Sequence, residues 1–511
     1  MNSQELKRLV KLEDRIYEIA REEGLEFVPI EFDIVPENKM LEIMAYGMPG
    51  QISNWKFGRD YERLKTIYEH NGNLPMEVVI TTNPARSYLM KNNTFVIQAL
   101  VVAHVVGHVS FSTMNKYHDE LDKDIVSKFI AAGHRFDDYE RKFGIDILEK
   151  TVDAGHAIYL HSSPFTSDET EDEKRNRIFE QTKQKAHDKI PTQFEDLFSN
   201  SETFADQAMI ERDLFNHNLW LALKNRIPVE PTEDLLRFII DNSRFLSDWQ
   251  KDILEILRYQ GRYFWPHVKT KYMNEGFATY WHEKIMRRLF NEELLTSEEH
   301  AEYNYMNANV KSKQPYSMNP YLIGSEMWYD IVKRWDKGLH GDAYNDERNM
   351  KAKKEWDTGA MKGEEKMFEI VRTHNDWFFM QTYLTTELVR DLELYLYVLQ
   401  KDFYSEKIVV TDKMKKEVKE LIIKSFSHSG IPKIKVANGS RRLVLDHNHV
   451  GMDLDPEYTQ KTIDHIAYLW GDGVKLNTIV KKVKKTYTSI AYSGLGSGLG
   501  AGESQSVSSS S

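Results

Sequence analysis

Cysteine is absent from the 511-residue chain. This absence excludes disulfide bonds, thiolate metal ligands and a cysteine nucleophile, so any metal ion must be bound by His, Asp or Glu side chains. No hydrophobic run in the sequence approaches the ~20 residues needed to span a bilayer. Residues 1–24 are charged throughout and lack the apolar stretch of a signal peptide. We therefore expect a cytoplasmic protein without a membrane span.

Clustered positive charge is scarce. The formal net charge is −11, and the one compact basic run is "KKVKKTY" at 481–487. Nucleic acid is therefore not expected as a main partner, because phosphate binding requires a basic face. Hydrophobic residues make up 41% of the chain and aromatic residues 12%, which is typical of a globular protein with a large core. At about 100 to 200 residues per domain, the length suggests two or three domains.

Hydrophobic periodicity predicts an α+β fold that is mainly helical, with a few short strands. We expect one main domain in two parts, 1–161 and 217–401, separated by a polar insertion or linker at 162–216. Helices are predicted at 94–112, 119–143 and 145–161, and Ser247 with Asp248 is placed to cap another. Residues 402–490 alternate between strand-like and helical patterns, which predicts a small α/β module with Asn438-Gly439 as a two-residue hairpin turn. The Gly/Ser-rich tail at 491–511 is expected to be disordered.

Two histidines stand four residues apart in "AHVVGHVSFS" (103–112). On a helix His104 and His108 point the same way and can share one metal ion. Their apolar flanks predict a buried helix, so they could equally be core histidines without a metal. The spacing alone does not decide between these alternatives, because the chain contains 18 histidines.

A second segment, "NEGFATYWHEK" (274–284), resembles the third-ligand helix of gluzincin metallopeptidases. The resemblance implies that Glu275 binds a metal ion together with the two histidines. His282 lies two helical turns further on, on the same face, and could be a fourth ligand, a partner of a ligand or a proton donor. Gluzincins place a general-base Glu directly after the first His, where this chain has Val105. A base would have to come from elsewhere, with Glu255, Glu326 or His282 as candidates.

A series of blocks in order along the chain resembles the SpoVR family, named for stage V sporulation protein R. The blocks include "NPARSYLM", "AHVVGHVSF", "SDWQKDIL", "TKYMNEGFATYWH", "NPYLIG", "NDWFFMQTYLT" and "LVLDHNHVGMDLD". Family residues of the candidate site map onto His104, His108, Asn274, Glu275 and His282. The chain departs from the pattern we expect at Asn54, where a His is usual, at Tyr259-Gln260, where an acidic pair is usual, and at His267, where a Gln is usual.

The resemblance implies a cytoplasmic protein tied to spore cortex formation or to stationary-phase and stress physiology. It also implies a PrkA-type serine protein kinase and a von Willebrand-like protein as candidate partners. Two biochemical hypotheses remain open: a metal-dependent hydrolase, or a regulatory or scaffold protein in which the metal is structural. Two His and a carboxylate suit Zn, and also Fe(II) and Mn. Val105 favours the scaffold, whereas the lack of Cys, the usual ligand of structural zinc, favours the hydrolase.

Overall fold

The computed structural model describes residues 3–46, 55–71, 77–162, 169–187, 202–224, 226–313, 317–395, 397–402, 405–410, 415–427, 431–439 and 441–490. Asn54 and the predicted tail at 491–511 lie outside these residues. Long helices dominate the described chain and short strands form small sheets, which confirms the mainly helical α+β fold.

Helices account for most of the main body. In chain order they are α1 (Ser3–Glu22), α2 (Glu37–Tyr46), α3 (Trp55–Asn71), α4 (Phe95–Met114), α5 (Ile125–Phe143), α6 (Ile145–His156), α7 (Glu171–His187), α8 (Glu202–Lys224), α9 (Leu235–Asn242), α10 (Asp248–Lys269), α11 (Lys271–Asn291), α12 (Ser297–Val310), α13 (Pro320–Lys337), α14 (Asp342–Asn345), α15 (Met350–Lys354), α16 (Gly363–Thr373), α17 (Asp376–Tyr383), α18 (Thr386–Asp391), α19 (Lys415–Phe426) and α20 (Pro456–Trp470).

The strands form three small sheets in the described residues. They are β1 (Ile30–Val35), β2 (Glu77–Ile80), β3 (Ala85–Met90), β4 (Tyr397–Asp402), β5 (Ser405–Val410), β6 (Ile434–Asn438), β7 (Leu443–His447), β8 (Val474–Val480) and β9 (Val483–Ser489). The first sheet has the order β1-β3-β2, with β1 parallel and β2 antiparallel to β3. Strands β4 and β5 pair antiparallel, and the last sheet has the order β6-β7-β8-β9 with β7 parallel to β8.

Helix α4 runs through the centre of the largest hydrophobic core. Its sequence is apolar on every side, as expected for a helix surrounded by protein, and nearly all of its residues are buried. By length and composition alone α4 could cross a membrane, contrary to the expectation from the sequence. However, 89% of its most apolar stretch is buried inside the protein. We infer that α4 is a core helix.

Glycines allow the helices of this core to approach closely. A Cβ atom added to Gly107 of α4 would lie 2.6 Å from Cα of Ala278 in α11. A Cβ atom added to Gly276 of α11 would lie 2.2 Å from the carbonyl carbon of Gly324 in α13. Helix α11 is therefore packed backbone to backbone against α4 on one side and against α13 on the other.

The segment predicted as a polar insertion or linker, 162–216, contains helix α7 and most of α8, which its composition did not predict. The charged side chains of α7 pair along the helix, as Lys174 does with Glu171. The two helices pack on each other through Phe179 and Trp220, whose rings meet edge to face at 5.5 Å. Ion pairs within α7 and the aromatic contact between α7 and α8 thus stabilise helices in this charged segment.

The C-terminal region differs from the prediction in one turn. Strand β6 ends at Asn438 and β7 begins at Leu443, so four residues separate the two strands. The prediction of a two-residue turn at Asn438-Gly439 is therefore wrong. The backbone N–H of Gly439 donates instead to the carbonyl of Ile227, at 2.7 Å, and a β-bulge shifts the register before Asn438. Helix α19 packs against the main core, whereas β6–β9 and α20 belong to a second core.

Candidate metal centre

Four side chains from β2, α4 and α11 converge in one place. Glu77 begins β2, His104 and His108 lie one turn apart on α4, and Glu275 lies in the first turns of α11. One nitrogen or oxygen atom of each residue lies within 4.8 Å of the others. The close contact between Gly107 and Ala278 brings α11 near enough for Glu275 to reach the two histidines.

The distances among these atoms fit a bound metal ion better than they fit hydrogen bonds. Nε2 of His104 lies 3.3 Å from Oε1 of Glu77 and 3.7 Å from Oε2 of Glu275. Nε2 of His108 lies 3.3 Å and 3.4 Å from the same two oxygens. Ligands about 2.0–2.1 Å from a tetrahedral ion are separated by roughly 3.3–3.4 Å. Within the described residues, Nε2 of His104 and Oε2 of Glu275 are buried and make no hydrogen bond, as expected for metal ligands.

The charges of the cluster also suit a divalent cation. Burial opposes the charged form of His108, but Glu275 and Glu77 outweigh it and hold the pKa of His108 well above its usual range. Burial likewise opposes the carboxylate of Glu275, but the two histidines outweigh it and lower the pKa of Glu275 strongly. The two largely buried carboxylates therefore favour positive charge between them, which a metal ion would supply in place of the proton on His108.

A hydrogen bond fixes the nitrogen that His108 turns toward the cluster. Nδ1 of His108 lies 2.9 Å from Oδ1 of Asn274, the residue before Glu275. Because an amide oxygen only accepts, Nδ1–H of His108 donates, and in the neutral ring the lone pair is on Nε2. Asn274 thus prepares His108 as a ligand through Nε2, the atom that faces Glu77 and Glu275.

A longer chain of hydrogen bonds fixes which ring nitrogen His104 turns toward the cluster. The amide nitrogen of Asn307 donates to Oε1 of Glu283 at 2.7 Å, so its Oδ1 faces Nε2 of His282 at 3.0 Å and accepts from it. Burial and the nearby His104 lower the pKa of His282 well below its usual value, so that ring is neutral and Nδ1 carries its lone pair. This lone pair accepts from Nδ1–H of His104 at 2.7 Å. The lone pair of His104 is then on Nε2, toward the cluster.

Glu283, at the far end of this chain of hydrogen bonds, is held in place by further polar contacts. Glu283 also accepts from the hydroxyl of Tyr329 and from Nζ of Lys311. Lys311 in turn donates to Glu326 at 3.2 Å. Metal-ligating histidines commonly rest on such outer partners, which fix the orientation of the ring.

Tyr321, at the start of α13, completes the surroundings of the cluster. Its ring centroid lies 5.9 Å from that of His104. The charge of Glu275, together with burial, raises the pKa of Tyr321 well above its usual value. The hydroxyl therefore stays protonated beside the Glu275 carboxylate.

The structure brings together His104, His108 and Glu275 of the residues singled out from the sequence. His282 lies outside the group of four and contacts it through His104. Glu326 connects only through Lys311, and Glu255 is ion-paired with Arg237 at 3.1 Å. The side chain of Val105 is fully buried in the apolar core.

Sequence reasoning missed four polar residues of the site: Glu77, Asn307, Glu283 and Tyr321. The sequence does contain one indication for Glu77, because it is the one charged residue in the short apolar run "MEVVI". Glu283 lies within "NEGFATYWHEK" and Tyr321 within "NPYLIG", whereas Asn307 belongs to no quoted block, and the role of all three becomes visible only when the helices are packed. His267 is one of the departures from the family pattern. Its Nε2 lies 3.3 Å from the hydroxyl of Thr81, which follows β2 directly.

Comparisons with known proteins agree with the blocks in the sequence. Residues 3–431 match the family model described as SpoVR like protein, and residues 432–481 match the SpoVR-like C-terminal domain. A protein of Escherichia coli (strain K12) named "Uncharacterized protein YcgB" is 27% identical over 487 residues, which cover 91% of this chain and 89% of that protein. No solved structure matches.

Proposed function

This chain belongs to the SpoVR family, and we propose that it is a metal-dependent hydrolase whose divalent ion is bound by His104, His108 and Glu275. The proposal rests on one observation: separate hydrogen-bond chains direct the Nε2 atoms of both histidines toward the carboxylates of Glu77 and Glu275. A bound divalent ion would supply Lewis acidity and an activated water at this point. Zinc is the first choice, with Fe(II) and Mn as alternatives for the same donor atoms.

Glu77 is the residue we propose as general base. Gluzincins supply this carboxylate from the helix that carries the two histidines, but here that position is the buried Val105. Oε1 of Glu77 lies 3.3 Å from Nε2 of both histidines, so β2 supplies a carboxylate beside the two histidine ligands. At this distance it can accept a proton from a water molecule held beside the histidines.

Tyr321 and Asn274 are proposed as positioning residues. Tyr321 stays protonated beside Glu275, so its hydroxyl is available to orient that carboxylate, and Asn274 orients His108. Neither residue has to change its protonation state during the reaction. Both reduce the reorganisation that the site would otherwise undergo when substrate binds.

The substrate class and the biological setting follow from the family resemblance. We propose an amide bond of a peptide or of a peptidoglycan-derived peptide as substrate. The proposed setting is spore cortex formation or stationary-phase and stress physiology in the cytoplasm, with a PrkA-type serine protein kinase and a von Willebrand-like protein as partners. Co-purification of the tagged chain with the kinase from its own cells tests the partnership, and failure to recover the kinase counts against it.

Substitution Glu77→Gln tests the proposed base, because Gln has nearly the same shape but accepts no proton. We expect the variant to retain its metal and to cleave a purified muropeptide mixture at least about 100-fold more slowly than wild type. Glu255→Gln is the matched control and should keep the wild-type rate, because Glu255 pairs with Arg237 instead. Mass spectrometry of the digest measures cleavage, and equal rates for Glu77→Gln and wild type would exclude Glu77 as the base.

One observation favours a second function, a scaffold fastened by a structural ion. The cluster contains four protein side chains, which is the number that closes a tetrahedral site. In that case Glu77 is a ligand, and Glu77→Gln should lose metal and melt at a lower temperature, as Glu275→Gln does. The metal content of the same variant therefore distinguishes the hydrolase from the scaffold.

A further inference from the structure

A second candidate site lies apart from the metal centre. A cavity of about 470 Å³ opens between the end of α6, the sheet β6-β7-β8 and α20. Its walls are mainly apolar and include Leu235, Leu445, Ile463, Ile466 and Leu476. The volume is within the range of small-molecule sites, roughly 300–1,000 Å³. None of the four residues of the metal cluster lines it.

The two carboxylates at the cavity have partners within the protein. Asp453 accepts from Nε2 of His449 and from the backbone N–H of Lys481, both at 2.8 Å. Asp455 caps α20 by accepting from the backbone N–H of Tyr458 at 2.9 Å. Within the described part of the chain, the lining contains no lysine or arginine. No cationic side chain is therefore available there to pair with an anionic ligand.

The histidines of the lining supply neutral polar groups. Burial lowers the pKa values of His156 and His161 to about 4, so both rings are uncharged at neutral pH. His447 is buried and its Nδ1 lies 2.8 Å from the hydroxyl of Thr478. All three histidines belong to the lining of the cavity.

We propose that this cavity binds a neutral small molecule that has an apolar body and a hydroxyl, amide or carbonyl group. A charged ligand is disfavoured because its charge would be buried without a counter-charge. The apolar walls favour burial of hydrocarbon or aromatic surface, and the imidazoles provide the few directed contacts that orient a ligand.

The cavity lies where the two regions matched by the family models meet. His156, His161 and Leu235 belong to the region matched by the main family model, whereas Leu445, Ile463 and Leu476 belong to the C-terminal domain. A ligand in the cavity touches both and therefore stabilises their contact. Its affinity should be independent of the ion, because the two sites share no residue.

Nile red, a neutral apolar dye with a carbonyl group, is a suitable probe for the full-length protein. We expect one saturable site per chain, with a blue-shifted fluorescence. Thr462→Trp on α20 fills the cavity and should weaken binding at least about tenfold. Lys461→Trp adds the same side chain on the exposed side of the same helix and should change binding less than about twofold. Circular dichroism and metal content confirm that both variants are folded.

Three outcomes would overturn the proposal. The first is a folded wild type that shows no saturable Nile red binding, and the second is equal binding by Thr462→Trp and wild type. The third is an anionic dye, 8-anilinonaphthalene-1-sulfonate, that competes for the cavity as strongly as Nile red, because the neutral lining should reject its sulfonate.

Discussion

His282 determines which nitrogen of His104 faces the metal cluster, although it is not placed among the ligands. In His282→Ala the Nδ1 of His104 loses its acceptor, so the ring is free to rotate or to carry its proton on Nε2. We expect metal affinity to fall about 10- to 100-fold, as is usual when an outer partner is removed. Competition with a fluorescent zinc chelator measures the affinity.

The matched control for this variant is His300→Ala. His300 stacks on Phe290, with ring centroids 4.0 Å apart, and takes no part in the hydrogen-bond chain. Its removal should leave zinc affinity unchanged. An affinity for His282→Ala equal to that of the control would show that His282 does not orient His104.

At the residue scale, the sequence predicted three of the four residues in the metal cluster, and each of the three came from a motif. His104 and His108 followed from helical spacing, and Glu275 followed from its resemblance to a third-ligand helix. Glu77 could not be predicted, because it comes from a strand far away in the sequence and proximity across the fold has no local pattern. Asn307 was missed for the same reason: its amide matters only because α12 packs beside His282.

Among the elements, the crossing of α4 and α11 positions the whole cluster. Gly107→Ala places a methyl group against the backbone of Ala278, so the helices must separate. We expect a loss of about 1–3 kcal/mol in the free energy of unfolding and a lower metal content, because Glu275 moves away from the histidines. Urea unfolding and metal analysis of the same samples measure both effects.

Gly58→Ala is the matched control for the helix crossing. Gly58 also lies within a helix, but a Cβ atom there meets nothing within 4 Å. Its replacement should be neutral or stabilise the protein by up to about 1 kcal/mol through helix propensity. If both variants behave alike, close packing at Gly107 does not position the site.

Elements with strong local signals were predicted from the sequence, and those ordered by distant contacts were not. The continuous apolar run predicted α4 as a buried helix, and α10 begins directly after Ser247, its predicted N-cap. The charged segment before α8 resembled a linker, because its few apolar residues become useful only when α7 and α8 face each other. The turn after β6 was wrong because a contact between Gly439 and Ile227 replaced the local turn preference.

At the scale of the whole molecule, buried histidines make stability depend on pH. Burial lowers the pKa values of His156, His161 and His267 to about 4. Unfolding exposes them and returns each pKa to about 6.5, so the unfolded chain binds more protons between these values. Their contribution to stability is complete above pH 6.5 and is lost as the pH falls toward 4.

His161→Gln isolates one of these contributions. Between about pH 6 and 4.5, wild type should lose up to about 1.4 kcal/mol more per pH unit than the variant does. Urea unfolding at pH 7, 6 and 5 measures this difference. Parallel pH profiles for the two proteins would mean that His161 titrates normally in the folded state.

The ion, as proposed, joins parts of the chain that are distant in sequence. The histidine pair lies on α4 and Glu275 on α11, and both helices belong to the largest core. Metal binding therefore couples to the packing of this core, and removal of the ion exposes the mutual repulsion between the carboxylates of Glu77 and Glu275.

Metal content of the purified protein tests the central claim most directly. We expect inductively coupled plasma mass spectrometry to find about one divalent ion per chain in wild type and in His300→Ala. His104→Ala and Glu275→Gln should contain almost none while remaining folded by circular dichroism. A metal-free wild type after growth and dialysis with zinc, iron and manganese, or undiminished metal in both ligand variants, would contradict the metal centre.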